Sequence, residues 1–525
     1  MSEFFEDNKS SDIFEGLTVQ NINPAVVQMQ YGLHGGALAQ RAATLKSQLT
    51  LSPGLFQFDE IVDCSIGSPQ SSGQRPLTFH QQVLSLALSP RLLKAAAAPS
   101  ASTTPSSAAA FEFAPDAIAR AQRYVDSVFS VGAYTKSQGN LLIRQEVAAF
   151  IAARDGENVH MVDPDHIFLT NGASEGVRTV MQTIVRPQPT YNDGLLIPVP
   201  QSPLYSALLT LLGGTLVPYY LDDRSNSWKL NLTEVEAQFQ HARKQGVHVR
   251  GIVVINPGNP TGFTLNDDKM KRIVSLCAEE GIVLLADEVY QENIYEARSF
   301  HSFRKTARSM GFEDRPDSGL NLVSFHSISK GFVGECGIRG GYFECFGFDE
   351  MVLENVRKLS SISLCPDISG QLMTGLVAQP PMPGDASYST YDMERSEICN
   401  SLQDRATRVS EVLNALPGIS CPPIMGALYA FPRLELPLSF NTEANERGVN
   451  ADELYCRLLL EATGVLVEPG SVLRQQENTF HFRITILPPA KQLEGALSRI
   501  AAFQVDFMRR YEARPSHLNG LDKDT

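Results

Sequence analysis

The 525-residue chain has too few basic residues for a nucleic-acid-binding protein. Its 44 Lys and Arg are outnumbered by 58 Asp and Glu, which gives a formal net charge of -14. A surface that holds a phosphate backbone needs clustered Lys and Arg, so we expect no nucleic-acid partner. The longest apolar runs are also far shorter than the ~20 residues of a membrane span, so we expect no membrane partner.

The eight cysteines include no CxxC pair, which excludes zinc-ligand spacing and a small disulfide framework. We expect no metal site and reduced thiols. The acidic start MSEFFEDNKSSDIFEG lacks the basic and apolar segments of a secretory signal and the arginines of a mitochondrial presequence. The end GLDKDT carries no peroxisomal or retention signal. The sequence therefore predicts a cytoplasmic protein.

Two nucleotide-binding motifs are missing as well. No GxGxxG opens the first strand-helix unit, and no GxxxxGK[ST] occurs anywhere, which argues against a nicotinamide enzyme and a P-loop enzyme. The length favours two domains. We predict an N-terminal arm that is partly in the small domain (1–70), a large domain (71–385), a small C-terminal α+β domain (386–513) and a disordered tail (514–525). The Pro, Ser, Thr and Ala of Ala95–Ala110 predict a flexible loop inside the large domain.

The large domain alternates short apolar runs with helix-like stretches, which predicts an α/β fold. The runs are apolar nearly throughout, as buried parallel strands are, and they are separated by helical segments such as Asp267–Glu280. We expect a mostly parallel sheet flanked by helices. The predicted strands are His166–Thr170, Gly194–Val199, Val249–Ile255, Gly281–Ala286 and Asn321–Phe325; in the small domain we expect a helix over Glu394–Leu416 and strands at Ala427–Phe431 and Phe480–Ile486.

Ligands of open α/β sheets gather at the carboxyl ends of the strands. Asn171–Gly176 follows the first strand as a Gly-rich turn that opens a helix, which suits a phosphate, with Ser174 as an added hydroxyl. A simple helix N-cap is the alternative interpretation. The turn Asn256–Gly262 presents Asn259 at its centre, and it is more elaborate than an ordinary turn requires.

An aspartate and a lysine follow two further strands. Asp287 ends a buried strand, where a carboxylate is costly unless it meets a cation such as a protonated pyridine nitrogen; an N-cap or a salt bridge is the alternative. Lys330 lies between an apolar strand and a Gly-rich loop, and a buried lysine of this kind can attack a carbonyl. Ser327, Ser329 and Arg339 around it suit a phosphate.

One arginine interrupts the last predicted strand. Arg483 lies in Phe480–Ile486, either as a surface residue whose stem is buried or as a clamp for a substrate carboxylate. Together these residues supply a phosphate cup, a pyridinium partner, an amine that traps an aldehyde and a carboxylate clamp. That set fits pyridoxal 5'-phosphate (PLP).

Several motifs then identify a resemblance over nearly the whole chain, from about Leu17 to about Phe507. The sequence resembles fold-type I PLP-dependent aminotransferases of class I/II, and among them the alanine aminotransferases. The motifs are NPGNPTG at 256–262, LADEVY at 285–290, SFHSISKG at 324–331, GECGIRGG at 334–341, GQRPLTF at 73–79 and HFRITILP at 481–488.

The resemblance implies a catalytic Lys330 that forms a Schiff base with PLP and moves the proton. Asp287 would pair with the pyridine nitrogen, and Asn259 and Tyr290 would contact the phenolic oxygen. Arg483, with Asn259, would bind the substrate. The remaining cofactor-binding residues would lie round the phosphate: Ala173, Ser174, Ser327, Ser329, Arg339 and Tyr134, the last from a partner subunit of a homodimer.

The implied reaction is ping-pong transfer of the amino group from L-alanine to 2-oxoglutarate. Two departures from the subgroup bear on the substrate: Ser202 stands where an aromatic residue is expected to stack on the pyridine ring, and Val472–Arg474 stands where Gly-Phe-Gly is usual. The alternatives are an aminotransferase for another amino or keto acid, a non-catalytic paralogue, and a different PLP reaction such as β-elimination or decarboxylation.

Overall fold

The computed structural model of the chain describes residue 19 and residues 22–29, 36–98, 113–128, 130–224, 227–297 and 299–512. The predicted tail, 514–525, and most of the predicted loop at 95–110 lie outside the described residues. The start of that loop was placed wrongly. Ala95 and Ala96 form the last turn of a helix that begins at Pro90, because alanine is the best helix former.

The fold alternates strands and helices over its middle part and is richer in helix towards its end. The helices are α1 (Pro24–Gln28), α2 (Ala37–Leu51), α3 (Thr78–Leu88), α4 (Pro90–Ala96), α5 (Pro115–Val128), α6 (Leu141–Asp155), α7 (Ala173–Ile184), α8 (Leu204–Leu211), α9 (Leu232–Lys244), α10 (Asp267–Glu280), α11 (Phe303–Ser309), α12 (Glu350–Ser360), α13 (Ile368–Ala378), α14 (Tyr388–Asn414), α15 (Leu438–Glu446), α16 (Ala451–Thr463) and α17 (Ala490–Glu512). The strands are β1 (Val62–Asp63), β2 (Ile167–Thr170), β3 (Asp193–Val199), β4 (Thr215–Asp222), β5 (Lys229–Leu230), β6 (His248–Ile255), β7 (Val283–Asp287), β8 (Leu322–Ser327), β9 (Gly341–Phe346), β10 (Ile419–Ser420), β11 (Tyr429–Ala430), β12 (Arg433–Leu434), β13 (Val465–Leu466), β14 (Glu468–Pro469) and β15 (Phe482–Thr485).

An eight-stranded sheet organises the middle of the chain, in the order β2-β9-β8-β7-β6-β3-β4-β5. Six of its strands run parallel, and β9 and β5 run antiparallel to their neighbours. Every residue of β2, β3, β8 and β9 is buried, as expected for a sheet covered on both faces. The predicted α/β fold with a mostly parallel sheet is confirmed.

Local sequence sets the bounds of the elements next to the site. Asn266 caps α10 by accepting a hydrogen bond from the backbone N–H of Lys269, and Asp267 and Asp268 occupy the first turn, where carboxylates are favourable. Gly281 ends this helix in the left-handed conformation, at φ 62°. The strand that we expected to begin at Gly281 therefore begins at Val283 and delivers Asp287 at its carboxyl end.

Residues 388–512, called the C-terminal region below, form a second packed layer. Their core joins α14, α15, α16 and α17 to the short strands, and it includes Val62 and Cys64 from near the start of the chain. β1 pairs in parallel with β13, and α2 packs its buried face against Leu460 and Leu466. The segment before the large sheet is thereby fixed to the C-terminal region. The domain boundaries themselves stay a prediction.

Within the described ranges, no helix combines the length and the apolar character needed to cross a bilayer.

Candidate active site

The carboxyl ends of the central strands bring most of the predicted residues to one edge of the sheet. Asp287, the last residue of β7, lies in register with Ile255 of β6 and Phe325 of β8. Ser327 ends β8 opposite Gly341, the first residue of β9, and Gly341 also lies opposite Thr170, which ends β2. The turns after β2, β6, β7 and β8 and the turn before β9 therefore meet at this edge.

The turn after β2 and the turn before β9 form an anion cradle. Helix α7 begins at Ala173 with Gly172 as its N-cap, and no side chain caps it, so its positive end is offered to a ligand. Arg339 lies against this turn and donates from Nη2 to the carbonyl of Asn171 at 3.0 Å. A Cβ on Gly172 would lie 2.4 Å from the same Nη2, and the φ of 81° at this position also favours glycine.

The other predicted phosphate contacts lie on the adjoining turn after β8. Ser327 and Ser329 are buried, and the Ser327 hydroxyl accepts a hydrogen bond from the backbone N–H of Ser329 at 3.2 Å. Arg339 itself has a positive φ of 59°, a strained conformation for a side chain of this size. The conformation is held by its hydrogen bonds to the carbonyls of Asn171 and Cys336, which aim the guanidinium at the cradle.

Asp287 is a buried carboxylate whose protein partners do not neutralise it. It is 9% exposed, and Tyr205 donates to its Oδ2 at 2.9 Å. Burial raises the pKa of Asp287 to about 6, although the hydrogen bonds from Tyr205 and Val289 and the charge of Lys330 act in the opposite direction. A cation that approaches this carboxyl group directly would stabilise its anionic form further.

Lys330 and Arg483 are linked by one short backbone segment, Ser65–Gly67. Lys330 Nζ donates to the carbonyl of Gly67 at 2.7 Å. Arg483 is buried and donates from Nη2 to the carbonyl of Ser65 at 2.6 Å and from Nη1 to Asn259 Oδ1 at 3.3 Å. The segment Ser65–Gly67 thus contacts both cations through its backbone.

The Nε of Arg483 has no hydrogen-bond partner among the described residues, although this atom is buried. Asn259 Nδ2 also donates to the hydroxyl of Tyr290 at 3.3 Å, so Arg483, Asn259 and Tyr290 form one connected group. A buried arginine with an unpaired N–H has an unused hydrogen-bond donor. A substrate carboxylate can accept a hydrogen bond from it.

Tyr134 is the predicted residue that the single chain does not bring into this group. Its side chain is 78% exposed, and among the described residues it makes none of the hydrogen bonds that link the others. Its role stays a prediction that depends on a second subunit.

Three residues that sequence reasoning missed also line the site: Tyr429, Tyr205 and Gly67. Tyr205 lies in the helix α8 within an apolar run and has the pattern of a core residue. Gly67 follows a two-residue strand and carries no side chain to draw attention. Tyr429 lies inside a predicted strand, Ala427–Phe431, in which its hydroxyl is the only polar side-chain group. That hydroxyl was the available signal.

The two departures from the subgroup are neighbours in space. The backbone N–H of Gln201, next to Ser202, donates to the carbonyl of Leu473 at 2.8 Å. Leu473 is buried against Trp228 and Phe431, whereas Val472 is 47% exposed. Arg474 adopts a φ of 55°, in the region that favours glycine. A substitution at Ser202 can therefore shift the backbone near Leu473, and a substitution near Leu473 can shift the backbone near Ser202.

The residues of this edge fit PLP. The cradle at Gly172 and Arg339 suits its phosphate, the buried Asp287 suits a protonated ring nitrogen, and Lys330 presents an amine beside them. Among the described residues no cluster of three or more His, Cys, Asp or Glu could hold a metal ion.

We expect Asp287→Asn to stabilise the cofactor-free protein. Because the pKa of Asp287 is raised from 3.8 to about 6 on folding, the folded chain binds this proton more tightly than the unfolded chain, and the cost of the buried charge is present above pH 6 and disappears as the pH falls towards 4. At 1.36 kcal/mol per pKa unit, the gain in the free energy of unfolding at pH 8 is on the order of 1–3 kcal/mol. Urea unfolding at several pH values measures this gain, which we expect to shrink from pH 8 to pH 5.

Asp193→Asn is the matched control. Burial alone raises the pKa of Asp193, but three hydrogen bonds from Arg186 hold it below its ordinary value. We therefore expect this substitution to destabilise the protein at pH 8. A loss of stability in Asp287→Asn at pH 8 would contradict our interpretation of Asp287.

Known proteins resemble this chain over most of its length. The profile of the family "Aminotransferase class I and II" matches residues 104–500. "Alanine aminotransferase 1, mitochondrial" of Arabidopsis thaliana is 44% identical over 94% of this chain and 88% of its own length. Human "Alanine aminotransferase 1" is 40% identical, with 94% of this chain and 96% of the relative covered. "Glutamate–glyoxylate aminotransferase 2" of Arabidopsis thaliana is also 40% identical, over 95% and 98%.

Solved structures agree on the fold. An alanine aminotransferase from Pyrococcus furiosus superposes with a TM-score of 0.69 at 21% identity, covering 92% of this chain and 99% of that structure. An aminotransferase from Escherichia coli gives a TM-score of 0.68 at 22% identity, with 92% and 98% covered. The chain has the fold-type I architecture and belongs to the class I and II family of PLP-dependent aminotransferases.

Proposed function

We propose that the protein transfers the amino group of L-alanine to 2-oxoglutarate, giving pyruvate and L-glutamate. One observation carries the proposal: Lys330 and Arg483 donate to the same short segment, Ser65–Gly67, and the charge of Lys330 acts on the buried Asp287, so an amine, a carboxylate clamp and a pyridinium partner converge. The alanine aminotransferases of Arabidopsis thaliana and human, at 44% and 40% identity, support alanine as the amino donor.

Each residue has a role that its position supports. PLP, when bound, supplies an aldehyde that captures the amino group and a ring that draws electrons from the Cα–H bond. Arg339 and the start of α7 hold the phosphate, and Asp287 keeps a proton on the ring nitrogen. Arg483 binds the substrate α-carboxylate through its unused N–H, with Asn259 fixing the guanidinium. Lys330 Nζ removes the Cα proton as a general base and returns a proton as a general acid.

The second candidate is an aminotransferase of the same build with another amino or keto acid. The contact between Gln201 and Leu473, which joins the two departures at Ser202 and Val472–Arg474, favours it, as does the 40% identity to a glutamate–glyoxylate aminotransferase. Because both candidates use the same Lys330 and Asp287, only the substrates distinguish them.

Visible absorption of the purified protein tests the reaction and its substrates. We expect a band from lysine-linked PLP that L-alanine bleaches and 2-oxoglutarate restores, and no such cycle in Lys330→Ala. A band that L-alanine leaves unchanged, but that another amino acid bleaches, would contradict alanine as the donor. Restoration by glyoxylate and not by 2-oxoglutarate would favour the second candidate.

A homodimer with shared sites is part of the proposal. The side chains of Tyr134, Ile362 and Leu364 are apolar and exposed. The segment after Leu364 contacts the cradle, where the backbone N–H of Asp367 donates to Asn171 Oδ1 at 2.8 Å. Gln371 links the segment that holds Tyr134 to the segment after Leu364, because its Nε2 donates to Thr135 Oγ1 at 3.0 Å and to the carbonyl of Pro366 at 2.8 Å. An exposed apolar surface of this kind typically marks a contact with another chain, and a second copy related by a twofold axis would bring its Tyr134 to this cradle.

Mixed dimers test the shared site. Lys330→Ala and Tyr134→Ala are each expected to impair the enzyme when present alone. In a random mixture half of the dimers are hybrids, and one of the two sites in each hybrid carries neither substitution, so about a quarter of the wild-type activity returns.

The control mixes Lys330→Ala with Asp287→Asn. Because Lys330 and Asp287 belong to the same chain's site, no hybrid site is intact and no activity returns. Equal behaviour of the two mixtures would contradict the contribution of Tyr134 from a partner.

We propose the cytosol as the compartment. The eight cysteines are free thiols, which fits a reducing environment. Several relatives are named mitochondrial, among them the 44% identical protein of Arabidopsis thaliana, and the matrix is therefore the alternative. Fractionation of the source cells decides between the two: recovery of the activity with mitochondria would contradict the cytosolic assignment.

A further inference from the structure

Tyr429 lies between the two cations of the site and is not among the residues that the motifs single out. It is 3% exposed and belongs to β11, which pairs antiparallel with β15 so that Tyr429 lies opposite Thr485. Arg483, two residues earlier on β15, places its guanidinium carbon 4.7 Å from the centre of the Tyr429 ring. The ring thereby supports the group that is proposed to bind the substrate carboxylate.

The hydroxyl of Tyr429 points the other way, towards Lys330. A Cβ built on Gly67 would lie 1.7 Å from Tyr429 Oη and 3.2 Å from Lys330 Nζ. Because both distances are measured from the same Cβ position, the hydroxyl oxygen and the amine nitrogen lie within about 5 Å of each other. Only glycine fits at position 67 while Tyr429 keeps this position. The segment Ser65–Gly67 can therefore approach the Tyr429 hydroxyl closely because residue 67 is glycine.

Two further observations show that the hydroxyl is held there. Tyr290 donates to Tyr429 Oη at 3.5 Å, and the two rings meet edge to face, with centres 6.1 Å apart. Although burial alone raises the pKa of a phenol, the charges of Lys330 and Arg483 hold the pKa of Tyr429 below its ordinary value. Both positive charges therefore favour a Tyr429 oxygen that acts as a hydrogen-bond acceptor.

We propose that Tyr429 is a positioning residue with two separable parts. The hydroxyl accepts a hydrogen bond from the Lys330 amine and keeps it over the substrate Cα once the lysine is free of the cofactor, while the ring fixes the Arg483 guanidinium. The inference rests on the proposed transamination for its substrate, but the arrangement itself is independent of which amino acid is the donor.

Two substitutions in the full-length holoenzyme separate the two parts. Tyr429→Phe removes the hydroxyl and keeps the ring, and Tyr429→Leu removes both. Tyr295→Phe is the matched control, because this partly buried hydroxyl donates to the carbonyl of Ala427 at 2.7 Å and no hydrogen bond joins it to Lys330 or Arg483 among the described residues.

Single-turnover reaction with L-alanine, ordinary and deuterated at Cα, gives the first readout. For Tyr429→Phe we expect the maximal rate to fall about 10- to 100-fold, as for loss of a hydrogen bond to a charged group, with a larger isotope effect and a half-saturating concentration within about twofold of the wild type. For Tyr429→Leu we expect the same loss of rate and, in addition, a half-saturating concentration raised about five-fold or more. Tyr295→Phe should retain the wild-type rate and isotope effect.

The second readout needs no substrate. The absorption band of lysine-linked PLP titrates with pH, and loss of an acceptor beside the Lys330 nitrogen should move its midpoint to lower pH in Tyr429→Phe but not in Tyr295→Phe. An unchanged midpoint, or an equal loss of rate in Tyr295→Phe, would overturn the proposal. If alanine fails to react with the wild type while the midpoint still shifts, the amino donor is wrong and the role of Tyr429 stands.

Discussion

The buried carboxylate of Asp287 is the constraint on which the site depends. It ends a central strand of the sheet, with β6 and β8 in register on either side, and burial raises its pKa to about 6. A group of this kind costs free energy in the empty protein and becomes favourable when a cation binds against it. We propose that a protonated pyridine ring is the cation that meets Asp287, and that the turns around this carboxylate form the rest of the binding site.

In the proposed site, the remaining contacts concern the substrate. The C-terminal region contributes Arg483 and Tyr429 on paired strands, and the segment Ser65–Gly67 accepts hydrogen bonds from Arg483 and Lys330 through two backbone carbonyls. Each carbonyl accepts one hydrogen bond from its cation and leaves the positive charge of that cation in place. In the proposed reaction the charge of Arg483 serves the substrate carboxylate, and Lys330 serves the reacting carbon as a deprotonated amine, so binding and proton transfer use the same small set of groups.

Sequence reasoning predicted most of the fold, because the central strands are continuously apolar and α10 carries a cap and a terminal glycine. It missed β4 and β9, since Pro218 interrupts the pattern of one and the other begins within a Gly-rich loop. It singled out Lys330, Asp287 and Asn259 as polar residues that end or follow strands and Arg483 as a charge inside a strand, and hydrogen bonds or charge interactions link these residues in pairs. It missed Tyr429, whose importance comes from Gly67, 362 positions earlier in the chain, and no local pattern records such a contact.

Affinity for two cofactor forms tests the role of Asp287 most directly. PLP and its 1-deaza analogue, in which a C–H group replaces the ring nitrogen, are titrated into cofactor-free wild-type protein and into Asp287→Ala. We predict that wild-type protein binds PLP about 10- to 100-fold more tightly than the analogue, as for a hydrogen bond to a charged group, and that the preference is lost in Asp287→Ala. Equal affinities of the wild type for PLP and for the analogue would contradict the account, because they would mean that Asp287 makes no favourable interaction with the ring nitrogen.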